Sequence, residues 1–414
     1  MDNLNKKQRA AINLIKLGSN VLVTGAAGVG KSYLVSEIIG EFTDFHITSS
    51  TGISAVNIGG RTIHSWAGIG IAIGTKEQIY NELSKRKHVV LKIRKAKRLI
   101  LDEISMIDAD LLDKIEYVLR RIKGNHKPFG GIQMVFFGDY LQLPPVSREG
   151  EEEKRFSFEA ESFNNSNVKI IELTEVIRQS DESFIKALHK IRMGNVDQPT
   201  KDLFNSRLGK KPSKDILATH LMTHNYMVDR VNDKKLAAIN LPSKNFKWSK
   251  GGADAALNML EKSCPALETL ELKIGAQVIC LKNIDPAKEI ANGSVGKVTG
   301  WSADGPIVKF NNGEEISIKK ALWEIKEFKG DKQVVTAWIE QFPLKLGWAS
   351  SIHKAQGQTI DHAVINLKSC FECGQAYVGL SRIKNLNGIY LEDIDWDKVI
   401  AHPKAVEFYE NLNK

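Results

Sequence analysis

Eight residues limit the fold of this chain more than any others. Gly25-Ala26-Ala27-Gly28-Val29-Gly30-Lys31-Ser32 follows the apolar run Val21-Leu-Val-Thr24 and opens a helical pattern that runs from Lys31 to about Glu41. Glycines at this spacing let backbone N–H groups turn inward around an anion, and the helix beyond adds a partial positive charge at its first turn. A loop of this kind needs a strand before it and a helix after it. Lys31 is then placed to reach the β- and γ-phosphates of a nucleotide, and Ser32 to hold Mg²⁺. A chance match in a Gly-rich loop is the alternative, and the strand-to-helix context weighs against it.

The rest of the first half keeps the same pattern. Lys6 to Leu17 reads as a helix capped by Asn5, with Ala10, Leu14 and Leu17 on one stripe. His46–Ser50, Arg98–Leu101, Gln133–Phe137 and Lys169–Leu173 read as buried strands between helices, which implies a parallel sheet covered on both faces. The second half restarts this grammar, with strands at Leu217–Met222, Gln277–Leu281, Ala363–Asn366 and Gly388–Leu391. Helices are expected at Asn225–Ile239 and near Gly374–Ser381. Between Gly293 and about Glu327, short strands at Val295–Val298, Ile307–Phe310 and Ile316–Ile318 alternate with Gly-rich turns, the mark of a small antiparallel barrel or sheet.

At 414 residues the chain is too long for one core. The expected division is a first lobe of residues 1–73 and 98–194, a subdomain at 74–97, a second lobe at 195–292 and 328–414, and an insert at 293–327. The net charge of +9 favours a polyanionic partner without proving one. No apolar run is long enough to span a bilayer, and Met1-Asp2-Asn3-Leu4-Asn5 has no signal core, so a cytoplasmic location is expected and no membrane partner. Cys370 and Cys373 form a lone Cys-x-x-Cys without a second ligand pair, which reads as reduced thiols rather than a metal site.

Two further turns complete a nucleotide-hydrolysing constellation. Arg98-Leu-Ile-Leu-Asp102-Glu103 ends a buried strand in paired carboxylates, with Asp102 suited to the Mg²⁺ and Glu103 to polarising the attacking water. Gln133 to Phe137 leads into Gly138-Asp139-Tyr-Leu-Gln142-Leu-Pro144-Pro145. There Gln142 is a candidate γ-phosphate sensor and Asp139 a supporting group. Alone, an Asp-Glu pair after a strand is more often a surface turn.

With these motifs in order, the chain resembles the PIF family of 5′-to-3′ DNA helicases, in the RecD-like branch of superfamily one and of bacterial or phage type. Gln8 resembles the adenine-reading glutamine of that superfamily. Ser50-Thr51-Gly52-Ile-Ser-Ala55 and Thr62-Ile-His64-Ser65-Trp66 resemble motifs that grip the strand. Glu175-Val-Ile-Arg178-Gln179, running to Arg192 and Gly194, is similar to the family signature. Ser350-Ser-Ile-His353-Lys354-Ala-Gln356-Gly357-Gln358-Thr359 and Tyr377-Val-Gly-Leu-Ser381-Arg382 resemble its fifth and sixth motifs.

The resemblance implies an α/β fold of two RecA-like parallel-sheet phosphate-loop lobes, with a wedge subdomain at 74–97 and an inserted Src-homology-like β-barrel. It implies ATP between the lobes, Arg178 and Arg382 neutralising the γ-phosphate, and Gln356 and Gly357 coupling nucleotide to DNA. Thr51, His64, Trp66, His353, Lys354 and Thr359 are the candidate DNA contacts, and Trp66, Phe137 and Trp348 the candidate base-stacking rings. Lone histidines are more often packed or solvated, and core packing competes for Phe137 and Trp348.

Partners expected on this basis are single-stranded DNA and single-to-double-strand junctions, with G-quadruplex or RNA–DNA hybrid as further candidates and a monomer as the unit. Between Lys85 and Arg98 stand eight Lys/Arg and no acid. A solvated helix face or a phosphate contact at a duplex junction both explain that run. A nucleotide-gated loading factor and a small-molecule phosphate-loop enzyme are the alternatives to a motor.

Overall fold

The computed structural model describes residues 4–70, 72–146, 154–329 and 332–412. Met1–Asn3, where the N-terminal reading began, lie outside the described residues. The first lobe is built on β1 (Val21–Gly25), β2 (Phe45–Ser49), β3 (Arg61–Thr62), β4 (Arg98–Asp102), β5 (Gln133–Gly138) and β6 (Lys169–Leu173). They form one sheet in the order β3-β2-β4-β5-β1-β6, and every neighbouring pair is parallel. The neighbouring interior strands β1 and β5 are buried along their whole length. Apolar side chains on both faces of a strand require covering layers on both sides.

One covering layer contains the helix Lys6–Lys16, closed by a reciprocal capping box between Asn5 and Gln8. Its buried face is Gln8, Ala11, Ile12 and Ile15, not the expected Ala10, Leu14 and Leu17, and Leu17 is 80% exposed. The helix packs beside β6, and that contact favours the face carrying two β-branched isoleucines. On the other side of the sheet, helix Ala109–Lys123 buries Leu112, Ile115, Val118 and Leu119. The expected wedge segment forms two short helices, Lys76–Ser84 and Lys87–Lys95, that rest on this helix through Ile79, Leu83, Val89 and Ile93.

After β7 (Thr219–Met222) the chain leaves the parallel architecture. It forms β8 (Ser243–Lys247), β9 (Ser249–Gly252), β10 (Thr269–Lys273), β11 (Gln277–Cys280), β12 (Val295–Trp301), β13 (Pro306–Phe310), β14 (Glu315–Ser317), β15 (Ala321–Lys329), β16 (Lys332–Gln341) and β17 (Leu344–Leu346). These make antiparallel sheets in the orders β14-β13-β12-β11-β17, β15-β16-β9 and β10-β8. Gln277–Leu281, expected in the second α/β lobe, therefore belongs elsewhere: β11 pairs antiparallel with β12 and β17. A short run buried throughout looks the same in a barrel interior as in a parallel sheet, so periodicity alone does not separate them. The five-stranded sheet draws strands from both sides of the 293–327 span.

The second parallel sheet is completed by β18 (Ala349–Ser351), β19 (Ala363–Asn366) and β20 (Ile389–Asp393), in the order β18-β7-β19-β20. Its core reaches the first lobe through Ala27 and Leu143. The last helix, Pro403–Leu412, returns to the first lobe and buries Ala405 and Tyr409 in that core, although the span 328–414 was expected in the second lobe. Among the described residues no helix is long and apolar enough to cross a membrane.

Candidate nucleotide site between two parallel sheets

The loop after β1 is shaped by two glycines in the left-handed region, Gly28 (φ +82°) and Gly30 (φ +85°). A Cβ on Gly28 would stand 2.6 Å from the Cβ of Arg178, and one on Gly30 2.9 Å from the Gln8 amide nitrogen. Gly28 therefore demands glycine for both backbone angle and space, and Gly30 for backbone angle, with the Gln8 amide having to shift for any side chain there. Gln8 accepts from its own helix cap through Oε1, while its buried Nε2 has no acceptor among the described residues. A buried donor without a partner is costly, and this one stands at the loop that a nucleotide would occupy.

Lys31 donates from Nζ to the carbonyls of Gly25 (2.7 Å) and Ala26 (2.9 Å), folding back onto its own loop. Burial lowers its proton affinity, against the opposing pull of Asp139 and Glu103. Facing it at the end of β4, burial and the neighbouring Glu103 push the Asp102 carboxyl up to about 7. Burial also raises Glu103, with Lys31 as the largest opposing influence. Glu103 sits at φ +53°, ψ +46°, a left-handed conformation that a non-glycine residue holds only where its surroundings enforce it.

The second lobe reaches this pair directly. Gln356 Nε2 donates to Glu103 Oε2 at 3.1 Å and lies 3.5 Å from Gln142 Oε1. Arg178 donates to the Ser381 carbonyl at 3.0 Å. Arg382 donates to the Val378 carbonyl and the Ser381 hydroxyl, each at 3.0 Å. All three acceptors are neutral. Burial, then the nearby Arg382 charge, brings Arg178 down to about 9. Two guanidinium groups held close without a bonded carboxylate favour an incoming anion. The resulting cleft of about 670 Å³ is lined by Gly28, Gly30, Lys31, Ser32, Glu103, Gln142, Arg178, Gly357, Thr359 and Arg382, among others. Thr359, expected on the DNA path, is among the residues that line this cleft.

Beneath the cleft lies a buried polar network. Asp139 takes Arg192 through both oxygens, at 2.7 Å and 3.1 Å, and accepts from the Tyr409 hydroxyl at 3.0 Å and from Gln142 at 3.2 Å. Burial opposes its charge, but Arg192 outweighs that and holds Asp139 below the usual carboxylate range. The Arg192 guanidinium also lies 4.4 Å from the centre of the Tyr409 ring. Tyr409 further bonds Thr24 at the end of β1, and Tyr377 accepts from the Ala27 amide at 2.8 Å. Tyr409 and Lys384, which also lines the cleft, were not singled out from the sequence, and Tyr377 stood there only as the start of the sixth-motif segment. No local signal points to Tyr409, which lies 270 residues from its carboxylate partner.

The expected DNA contacts fare unevenly. Thr51 caps the short helix Gly52–Asn57, which lies under the helix Asp254–Ser263 of the antiparallel region. His64 is half-buried, with a proton affinity lowered by burial. Trp66 is only 2% exposed, packed against His46 at 5.4 Å and under Lys92 at 5.6 Å. It offers no open face to a base. Phe137 is fully buried, and Trp348 packs into the antiparallel core. His353 bonds Glu372 at 3.0 Å, and Lys354 is exposed.

Comparison with known proteins agrees with this geometry. Residues 3–202 match the PIF1-like helicase family, and residues 256–301 match the 2B domain of DNA helicase Pif1. The ATP-dependent DNA helicase Pif1 of Bdellovibrio bacteriovorus is 34% identical over 413 residues, spanning 99% of this chain and 92% of that protein. ATP-dependent DNA helicase PIF1 of Xenopus laevis is 39% identical over 418 residues, and this chain spans 65% of its length. The structure of Bacteroides sp Pif1 in complex with ADP-AlF4 superimposes with a TM-score of 0.86 at 31% identity, covering 99% of this chain and 97% of that one. Bacteroides Pif1 bound to ssDNA gives 0.66 at 32% identity, covering 99% and 96%. The likeness runs through both parallel sheets and the antiparallel region between them, and this chain belongs to the PIF1-like helicase family.

Proposed function

We propose that this chain is an ATP-driven motor that moves 5′-to-3′ along single-stranded DNA and unwinds duplex or structured DNA, in replication, recombination or repair. The observation that carries the reading is the convergence of Lys31, Glu103 and Gln142 from the first lobe with Gly357, Thr359 and Arg382 from the second on one cleft. A phosphate-loop kinase has no need of a second parallel sheet that reaches its catalytic carboxylate through Gln356.

The residues fit ATP. Gln8 carries an unfilled buried donor beside Gly30, suited to an acceptor on the adenine ring. Lys31, Arg178 and Arg382 would neutralise the β- and γ-phosphates. Glu103 would take a proton from the water that attacks the γ-phosphorus, as the bond to the departing ADP breaks. Ser32 and Asp102 would hold Mg²⁺, whose charge lowers the cost of charge spreading over the phosphates. Asp102, with a pKa of about 7, would release its proton to solvent near neutral pH when such an ion binds.

Gln356 ties this chemistry to the second lobe, so the two lobes can differ in DNA affinity between nucleotide states. The higher TM-score to the ADP-AlF4 complex than to the ssDNA complex supports a rearrangement on DNA binding. On the same reading the partners are single-stranded DNA and strand junctions, with G-quadruplexes and RNA–DNA hybrids as further substrates. The unit is a cytoplasmic, nucleoid-associated monomer. Residues 74–97 would be the wedge. The five-stranded sheet supports a Src-homology-like barrel, with 243–346 as a wider insert than 293–327.

The test is ATP hydrolysis with and without a single-stranded oligonucleotide, together with unwinding of duplexes bearing a 5′ or a 3′ tail. Stimulation with unwinding from the 5′ tail alone is expected. Unwinding from the 3′ tail alone would reverse the direction, and hydrolysis indifferent to DNA would remove the motor.

A further inference from the structure

The sequence suggested three rings for stacking bases, and all three are buried or packed into a core. A different set of rings faces solvent. At the carboxyl ends of the second-lobe strands, Phe371 is 61% and Tyr226 73% exposed, with His224, also exposed, between them. The His224 ring lies 5.2 Å from Phe371 and 5.8 Å from Tyr226.

These rings come from two neighbouring strands of one sheet, His224 and Tyr226 after β7 and Phe371 after β19. His224 follows β7, and its Nδ1 pairs with the Thr223 hydroxyl at 2.8 Å, which in turn meets Ser369 Oγ at 3.1 Å in the loop after β19. Beside them, β18 runs parallel to β7 with Ser351 opposite Met222 and continues into His353. His353 is held to Glu372 of the Phe371 loop at 3.0 Å. Single exposed rings are ordinary on a protein surface, whereas a contiguous cluster calls for an occupant. Crevices at the carboxyl ends of parallel strands are where open α/β sheets bind ligands.

We propose that Tyr226, His224 and Phe371 form a base-stacking platform for single-stranded DNA on the second lobe. The occupant follows from the company the rings keep. The exposed cation Lys354 lies next to His353, and rings beside a phosphate-binding cation are the usual surface for unpaired bases. The platform also has a route to the cleft. Gln356, three residues past His353, bonds Glu103 across the lobes, so strand occupancy and the hydrolytic carboxylate meet through one short segment. The inference rests on the motor reading.

The experiment measures binding of the full chain to fluorescent oligo(dT) by anisotropy over a range of salt. Phe371→Ala and Tyr226→Ala are each expected to weaken binding about ten-fold, the scale of one lost base–ring contact. The slope of log affinity against log salt should not change, because neither ring carries charge. Both side chains are exposed, so melting temperatures should match the wild type. Phe371→Trp should restore affinity, and Phe371→Leu should not. Alanine variants that bind like the wild type would overturn the platform. So would full rescue by leucine, which would mark a general apolar contact such as a protein partner makes. If the wild type itself binds no oligonucleotide, the motor reading fails and the platform with it.

Discussion

The two parallel sheets place opposite chemistry at the carboxyl ends of their strands. In the first, β1, β4 and β5 end in Lys31, the Asp102–Glu103 pair and Asp139, all perturbed by burial and by one another. In the second, β7, β18 and β19 run out into exposed rings and His353. One end concentrates fixed charge in a half-buried cleft, where electrostatic interactions are stronger than in open water. The other spreads flat apolar faces in water, where contact area does the binding. On the proposed reading, two sheets of the same layered architecture would serve different ligands, because the loops and not the strands carry the chemistry. Arg382 and Gln356 are where the second sheet crosses into the territory of the first.

If the first sheet owns the chemistry, Lys31→Ala should have the largest effect, lowering ATP turnover by about a thousand-fold or more as the phosphate cradle loses its cation. Turnover near the wild-type rate would remove the site from this cleft. Glu103→Gln should cut hydrolysis by about a hundred-fold or more while ATP still binds, a split that a nucleotide-binding measurement beside the rate can show. Loss of binding would contradict the role as base.

The contribution of the second sheet is tested by Arg382→Ala, expected to lower kcat by about a thousand-fold, the scale of an arginine acting on transferring phosphate. A variant that loses only DNA affinity would move Arg382 to the other side of the comparison.

The network under the cleft predicts a smaller change. Tyr409→Phe removes the hydroxyl that bonds Asp139 and Thr24 and should lower kcat about ten-fold, one charge-assisted hydrogen bond's worth of positioning. Because Asp139 holds Gln142, Tyr409→Phe should add little to Gln142→Ala in a double-mutant cycle. Full additivity would make Tyr409 a packing residue only.

The smallest effect is on stability. Asp102 has a pKa of about 7 in the fold against about 3.9 in an unfolded chain. The folded state therefore binds this proton more tightly, and the stability it supplies is present at low pH and lost as pH rises through 7. Without nucleotide or metal, Asp102→Asn should melt a few degrees higher than the wild type at pH 8, with the difference vanishing below about pH 4. An equal gap at both pH values would remove the buried-charge account of Asp102.

Most of the nucleotide site was legible because its parts are short contiguous motifs: the loop from Gly25 to Ser32, the Asp102–Glu103 pair, and Gln142 after β5. Local spacing there dictates local geometry. The rings were less legible for the opposite reason: core packing competed with base stacking at Phe137 and Trp348, and it also holds Trp66. Nothing in the local sequence separates a buried Trp66 from an exposed Phe371, and only the packing of helices Ile63–Ala67 and Lys87–Lys95 buries the first. Leu17 was assigned to a buried stripe one face away from the side that β6 covers, because helical periodicity gives a stripe without saying which neighbour it meets.

By itself the sequence determined the glycine-rich loop, the run of strands and helices on either side of it, and the carboxylate pair at the end of β4, since turns, caps and alternation act between residues a few positions apart. Tertiary structure alone decided that β11 joins an antiparallel sheet, that Thr359 lines the cleft between the lobes, that Tyr409 comes back beneath β1, and that Tyr226 and Phe371 stay in water. Those outcomes depend on which surfaces are buried together across long stretches of chain, and burial is a property of the packed whole.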